Sequence, residues 1–151
     1  MSAAGMLFGS HSRSHRSLAA LSDEEAEEEI KGSKKSLESL LRTPVEWFAF
    51  PFGLWDDIKP EHANLVQEAG YRAALTAKAG ANSLKSDFYD LRVIPVYEWD
   101  SIAEFKKKVD GGYDWVGFFH HLWIEAFPKN RNAIKGDTKW RHEAGRSEAS
   151  S

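Results

Sequence analysis

The chain contains no cysteine among its 151 residues. This absence excludes disulfide bonds, thiolate nucleophiles and metal sites built from thiolates. Histidine and carboxylate side chains are then the expected ligands for any divalent cation. The redox compartment stays open, because there is no cysteine usage from which to infer it.

A surplus of positive charge is also missing. The 20 basic and 23 acidic residues give a formal net charge of -3, and the two signs are interspersed along the chain. A protein that follows a phosphate backbone needs a broad cationic stripe. We therefore expect no nucleic acid partner.

Long apolar runs are absent as well. No stretch approaches the length of a membrane span, and Met1–Gly5 lacks the charged start and apolar core of a signal peptide. We expect no membrane span and, for the chain as written, a cytoplasmic location. Loss of an export signal together with a shortened N-terminus stays open.

The remaining pattern predicts one domain with an α/β fold. A hydrophobic fraction of 42% suffices for a core, and strands alternating with helices favour a parallel sheet. The predicted elements begin with the end of a buried strand at Met6–Gly9. A capping box of Ser22 and Glu25 predicts the start of a helix, in which the acids from Asp23 to Glu29 suit the positive helix end and the apolar face is Ala26, Ile30, Ser33, Leu37, Leu40 and Leu41. Strands are predicted at Pro44–Pro51, Tyr71–Thr76 and Leu91–Val96, and helices from Pro60, a favourable first helical residue, and over Ser101–Val109. An apolar segment at Trp115–Phe119 fits a last strand or a helix start.

Two histidines near the N-terminus form the most informative local pattern. His11 and His15 are four residues apart, so their imidazoles reach one metal ion if the segment makes a helical turn. Ser12, between them, either shapes the turn by a local hydrogen bond or is a solvated turn serine. The alternative for the pair itself is two surface histidines near a helix start.

The order of motifs resembles the polysaccharide deacetylase family, the NodB-like carbohydrate esterases. Gly9-Ser10-His11-Ser12 with His15, the acidic helix and Phe48–Gly53 carry the resemblance, which runs from about Leu7 to Val109. It implies a deformed (β/α) barrel. In that family an earlier strand carries an Asp-Asp pair, one member the general base and the other the third metal ligand, and this chain starts too late to contain it. We therefore expect a partial domain over residues 1–127, lacking its first strand or strands, and a polar, disordered tail over 128–151.

The resemblance implies roles for particular residues. His11 and His15 match the ligands of a divalent metal, commonly zinc. Pro51 matches a residue that lines the substrate groove, and Phe52 the residue whose backbone N–H stabilises the oxyanion. Strand-end packing is the alternative for this aromatic-Pro-aromatic-Gly loop. Many relatives carry an Arg where this chain has Ala49.

Later residues complete the expected site. Arg92 is the candidate replacement for the missing Arg, with a surface ion pair as the alternative. His120, in Phe118-Phe119-His120-His121, is the candidate general acid, and the alternative is that the two histidines cap an amphipathic end. Trp55 and Trp115 are candidates for stacking on sugar faces, while buried packing is the commoner fate of tryptophan.

Together these expectations describe a metal-dependent hydrolase that removes N-acetyl groups from a polysaccharide or oligosaccharide. The site lacks a third ligand and a general base, for which Asp56, Asp57 and Asp90 are candidate substitutes, although nothing in their spacing places them at the site. The alternative function is a catalytically inactive remnant that acts as a carbohydrate-binding or interaction module. A barrel without its first strands exposes sheet edges, so a homo-oligomer through such an edge is also expected.

Overall fold

A computed structural model describes residues 5–112 of the chain. Within them, four strands form one sheet in the order β1-β2-β3-β4, and all neighbouring pairs are parallel. The strands are β1 Gly9–Ser10, β2 Trp47–Ala49, β3 Ala73–Ala79 and β4 Leu91–Val93, and the helices are α1 Asp23–Leu41, α2 Pro60–Glu68 and α3 Ile102–Val109. The predicted α/β fold with a parallel sheet is confirmed. The predicted segment 115–119 and the tail 128–151 lie outside the described residues.

Helix α1 begins where the sequence predicts. The Ser22 side chain accepts a hydrogen bond from the Glu25 N–H, and the Glu25 carboxylate accepts one from the Ser22 N–H. This reciprocal capping box satisfies two amides that the first turn of a helix leaves unpaired. Ala26, Ile30 and Ser33 then face the sheet and are buried.

The apolar face predicted for α1 is wrong at one residue. Leu40 is 78% exposed, whereas Leu37 and Leu41 pack against the core. The buried stripe of α1 runs through Ile30 and continues at Leu37 and Leu41, and Leu40 lies beside this stripe on the solvent side. The other apolar positions of the helix are confirmed.

The first strand also differs from its prediction. Met6 and Leu7, expected in a buried strand, are 56% and 84% exposed, and β1 consists only of Gly9 and Ser10. A Cβ on Gly9 would lie 3.2 Å from the Trp47 carbonyl oxygen, so β1 can approach β2 closely only where it has no side chain. The prediction from hydrophobicity alone therefore placed this strand too early in the chain.

Two later strands keep their predicted places with shifted ends. β3 runs three residues past Thr76, to Ala79, and β4 ends at Val93, before Ile94 and Pro95. Proline has no N–H with which to continue the ladder. Because every strand is parallel, the residues that follow each strand lie along one edge of the sheet, the carboxyl edge.

The core lies between the sheet and helices α1 and α2. Phe48 of β2 is fully buried and contacts the rings of Phe50 and Tyr71, each with ring centroids 5.2 Å apart. The Tyr71 hydroxyl donates to the Ile30 carbonyl oxygen at 3.1 Å. This contact joins the start of β3 to the middle of α1.

The outer strands of the described sheet are β1 and β4. The expected homo-oligomer through a sheet edge stays a prediction. None of the helices within residues 5–112 combines the length and apolarity that crossing a membrane requires.

Candidate functional site

The two histidines lie side by side after β1, at the carboxyl edge of the sheet. Their ring centroids are 4.7 Å apart and the ring planes meet at 69°. His11 Nδ1 lies 2.8 Å from the carbonyl oxygen of Ala49, the last residue of β2. A carbonyl oxygen can only accept, so Nδ1 carries a proton, and the neutral tautomer with this bond has its lone pair on Nε2. Both side chains are exposed to solvent.

The pair does not meet through a helical turn, as the spacing led us to expect. Residues 11–15, here called the histidine loop, contain two non-glycine residues with left-handed backbone, Ser12 at φ +66° and His15 at φ +56°. The His15 N–H donates to the Ser12 hydroxyl oxygen at 3.1 Å. This bond confirms the local hydrogen bond considered for Ser12, and it links the two residues that have left-handed backbone.

A carboxylate of α1 holds the same loop. Glu29 accepts hydrogen bonds from the N–H groups of Arg13 and Ser14, at 2.7 and 2.9 Å, and from the Ser14 hydroxyl at 2.6 Å. Burial raises the pKa of Glu29, but the hydrogen bonds from Ser14 and Arg13 lower it by more, so its pKa lies below the ordinary value. Glu29 is therefore an anion at neutral pH.

Phe52 brings a second loop to the histidines. Its ring meets the His15 ring edge-on, with centroids 4.8 Å apart. Phe52 has φ +60°, and the Gly53 N–H donates to the Pro51 carbonyl oxygen at 2.6 Å, which makes Pro51–Gly53 a classic γ-turn. This turn is rare and strained for a residue with a side chain.

The strained turn is tied to β3 on both sides. The Phe50 N–H donates to the Leu75 carbonyl oxygen at 3.0 Å, and the Ala77 N–H donates to the Gly53 carbonyl oxygen at 2.9 Å. Pro51, the first residue of the turn, is fully buried. Its predicted place in a substrate groove stays a prediction, as does the oxyanion role of the Phe52 N–H.

Two imidazoles of this kind fit a zinc ion, but they are too few for a catalytic site. A catalytic zinc takes three protein ligands and a water. Residues 5–112 contain no group of three or more histidine, aspartate or glutamate side chains placed to hold a metal. Of the proposed substitutes, Asp57 accepts from the Ser17 hydroxyl at 3.0 Å, and Asp90 pairs with Lys78 at 2.6 Å.

Comparison with known proteins gives this arrangement its context. The family model described as polysaccharide deacetylase matches residues 1–74, which include the histidine loop, α1 and the γ-turn. Over these residues, just under half of its length, the chain is similar to the polysaccharide deacetylase family. No curated protein matches it.

Solved deacetylases share the fold of this chain over part of their length. A polysaccharide deacetylase from Bacillus cereus aligns at 22% identity and a TM-score of 0.61, covering 72% of this chain and 34% of its own. A Streptococcus pyogenes deacetylase, solved in complex with acetate, aligns at 21% identity and a TM-score of 0.62, covering 67% of this chain and 43% of its own. The chain thus spans less than half the length of these structures.

Arg92 and Trp55 lie together, and Lys78 lies beside the same indole. The Arg92 guanidinium carbon is 5.7 Å from the centre of the Trp55 indole, and the Lys78 ammonium is 4.3 Å from it. Cations held over an indole are attracted by its negative faces. The functional roles of Arg92 and Trp55 stay predictions.

The candidates His120 and Trp115 lie outside the described residues. In contrast, sequence reasoning missed Glu29 altogether, because it interpreted the acidic run after Ser22 only as a complement to the helix dipole. Glu29 is the seventh residue of α1, beyond the first turn in which that effect acts. An acidic residue so far along a helix was the available signal.

Proposed function

We propose that this chain acts in the hydrolytic removal of N-acetyl groups from a polysaccharide or oligosaccharide, with His11 and His15 as ligands of a divalent cation, zinc by choice of donors. The observation that carries the proposal is the contact between the two imidazoles at 4.7 Å. Nothing in the packing of a sheet edge requires two exposed imidazoles to meet. Binding of one cation by both imidazoles would explain why they lie so close together.

His11 has the hydrogen bonding of a metal ligand. Its Nδ1–H is fixed on the Ala49 carbonyl, which sets the ring orientation and leaves Nε2 as the donor atom. With zinc held by His11 and His15, the site would gain a Lewis acid for polarising the acetamide carbonyl and activating a water. Residues 5–112 place no third histidine or carboxylate with this pair to complete a metal site.

Phe52 would stabilise the oxyanion in this reaction, and His120 would act as its general acid. The γ-turn fixes the backbone at Phe52 beside His15, which supports the proposal that its N–H stabilises the tetrahedral oxyanion. His120 would then donate a proton to the departing amine as general acid. Arg92 would orient the base, and the groove would be lined by Pro51, Trp55 and Trp115.

The comparisons support the reaction class. The match of residues 1–74 to the polysaccharide deacetylase family favours an N-acetylated carbohydrate as substrate. The Streptococcus pyogenes deacetylase was solved with acetate, and acetate is what hydrolysis of an N-acetyl group releases.

One observation favours the second candidate function, a carbohydrate-binding or interaction module without catalysis. The described residues supply two ligands, and two imidazoles alone bind a cation without completing a catalytic centre. A single set of variants distinguishes the two functions.

Zinc would be titrated by calorimetry into the metal-stripped full chain, the His11→Ala/His15→Ala double variant and an Arg13→Ala control. Arg13 belongs to the same loop, but its side chain pairs with Glu28 on the surface. Acetate release from N-acetylated oligosaccharides would be measured on the same samples. We expect one tight equivalent of zinc in the wild type and the control, lost in the double variant, and acetate release that follows the same order.

Zinc binding that depends on both histidines, without acetate release, would support the binding module instead. Zinc binding that survives in the double variant would contradict the metal site at this pair.

A further inference from the structure

Glu29 is the only acidic side chain of α1 that collects several hydrogen bonds from the histidine loop, within the part of the chain that the structure describes. We propose that Glu29 is a positioning residue, which holds the histidine loop in the left-handed geometry that brings the two imidazoles together. The effect of Glu29 on metal binding rests on the function proposed above. The effect of Glu29 on the geometry of the loop is independent of that function.

The loop needs such an anchor because its own backbone disfavours the observed shape. Ser12 and His15 both have positive φ, a region that side chains make unfavourable. His11, Arg13, Ser14 and His15 are all exposed, so burial in a core does not hold the loop in place. Hydrogen bonds must supply the restraint.

The Glu29 carboxylate has the geometry to supply it. One oxygen accepts from the two consecutive amides of Arg13 and Ser14, and the other accepts from the Ser14 hydroxyl. Consecutive amides converging on one anion form the concave arrangement that binds anions in other protein loops. Here the anion is the protein's own carboxylate, on a helix that is packed against β1.

The restraint reaches the imidazole through one further residue. Ser12 directly precedes the two restrained amides, and its hydroxyl oxygen accepts from the His15 N–H. Fixing the His15 backbone places its ring between those of His11 and Phe52. Removing Glu29 should therefore free the His15 ring.

Glu28 provides a matched control on the preceding residue. Its carboxylate pairs with the Arg13 guanidinium on the surface, where the two side chains are 66% and 52% exposed. It receives no hydrogen bond from the loop backbone within the described residues. Neutralising Glu28 removes the same charge from α1 without touching the amides.

The test compares wild type, Glu29→Ala, Glu29→Gln and Glu28→Gln in the full chain, with circular dichroism to establish that each is folded. The first readout, without metal, is the nuclear Overhauser effect between the rings of His15 and Phe52. The second is the zinc dissociation constant from calorimetry. We expect Glu29→Ala to lose the ring contact and to weaken zinc binding about 10–100-fold, the range typical for residues that orient metal ligands. Glu29→Gln retains an accepting oxygen and should lie between, while Glu28→Gln should match the wild type.

A folded Glu29→Ala variant that keeps both the ring contact and the wild-type zinc affinity would overturn the inference. If the wild type binds no zinc at the histidine pair, the proposed function fails, and the ring contact alone decides the role of Glu29. Its loss in Glu29→Ala but not in Glu28→Gln would then support positioning, and its survival would refute it. If Glu29→Ala does not fold, Ser14→Ala removes one donor to the same carboxylate and is read in the same way.

Discussion

Replacing Gly53 with alanine should break the loop that carries Phe52. A Cβ on Gly53 would lie 2.6 Å from the Ala77 amide nitrogen and 3.1 Å from the Phe50 carbonyl oxygen. Both neighbours are backbone atoms within the hydrogen-bonded connection to β3, so neither can move aside as a flexible side chain would. Gly70 offers a matched control, because its φ of +79° is similar to the +64° of Gly53 and its Cβ would meet nothing within 4 Å.

The two positions separate backbone strain from steric clash. Left-handed backbone costs a residue with a Cβ about 1–2 kcal/mol relative to glycine, and this is the whole expected loss at Gly70. At Gly53 the clash adds a cost of the size found for overpacked cores, about 1–3 kcal/mol. The free energy of unfolding should therefore fall by about 2–5 kcal/mol in Gly53→Ala and by about 1–2 kcal/mol in Gly70→Ala.

Urea denaturation of the full chain, followed by circular dichroism, gives both losses from the transition midpoints and slopes. Gly53→Ala should also weaken zinc binding, because displacement of the turn moves the Phe52 ring away from His15. Equal destabilisation by the two variants would refute the steric argument. A Gly53→Ala protein that retained wild-type zinc affinity would show that the turn does not support the histidine pair.

Three further predictions concern stability and use the same urea assay. His62 is fully buried, and burial, with a smaller effect of Lys59, lowers its pKa against the opposing charges of Glu61 and Asp23. The unfolded chain therefore binds the extra proton first, so stability should fall as the pH drops below about 6.5, the ordinary pKa of histidine, by up to about 1.4 kcal/mol per pH unit, with a flatter profile in His62→Gln. Ile30→Ala, in the core, should cost about 2–5 kcal/mol, whereas Leu40→Ala, on the exposed side of α1, should change stability by less than about 0.5 kcal/mol. Ser22→Ala should cost about 1 kcal/mol through the lost cap of α1.

Features decided by neighbours in sequence could be predicted. The capping box of α1 depends on Ser22 and Glu25, three residues apart, and the start of α2 on Pro60 at its first position. The sequence predicted both helix starts, and the structure confirms them. The alternation of strands and helices likewise sufficed for the parallel sheet.

Features decided across the chain could not be predicted. The sequence paired His11 with His15 but assigned them a helical turn, because nothing local reports that Glu29 restrains the intervening amides. Helix α3 shows the converse, since its periodicity correctly predicted a helix while Ile102, its first residue, is 73% exposed. Periodicity establishes that an apolar side exists, but not what it packs against.

The site and the fold depend on one register. Ser10 of β1 pairs with Phe48 of β2, so the next residues along, His11 and Ala49, are also neighbours, and the His11 imidazole reaches the Ala49 carbonyl. Shifting β1 by one residue would reverse which side chains face the core, which would expose Ser10 and bury the imidazole. Ser10 opposes that shift, because its buried hydroxyl donates to Ser33 of α1 at 2.7 Å. The hydrogen bond that fixes the first strand therefore also fixes the orientation of the first candidate ligand, and a substitution at Ser10 should disturb the histidine pair without touching either imidazole.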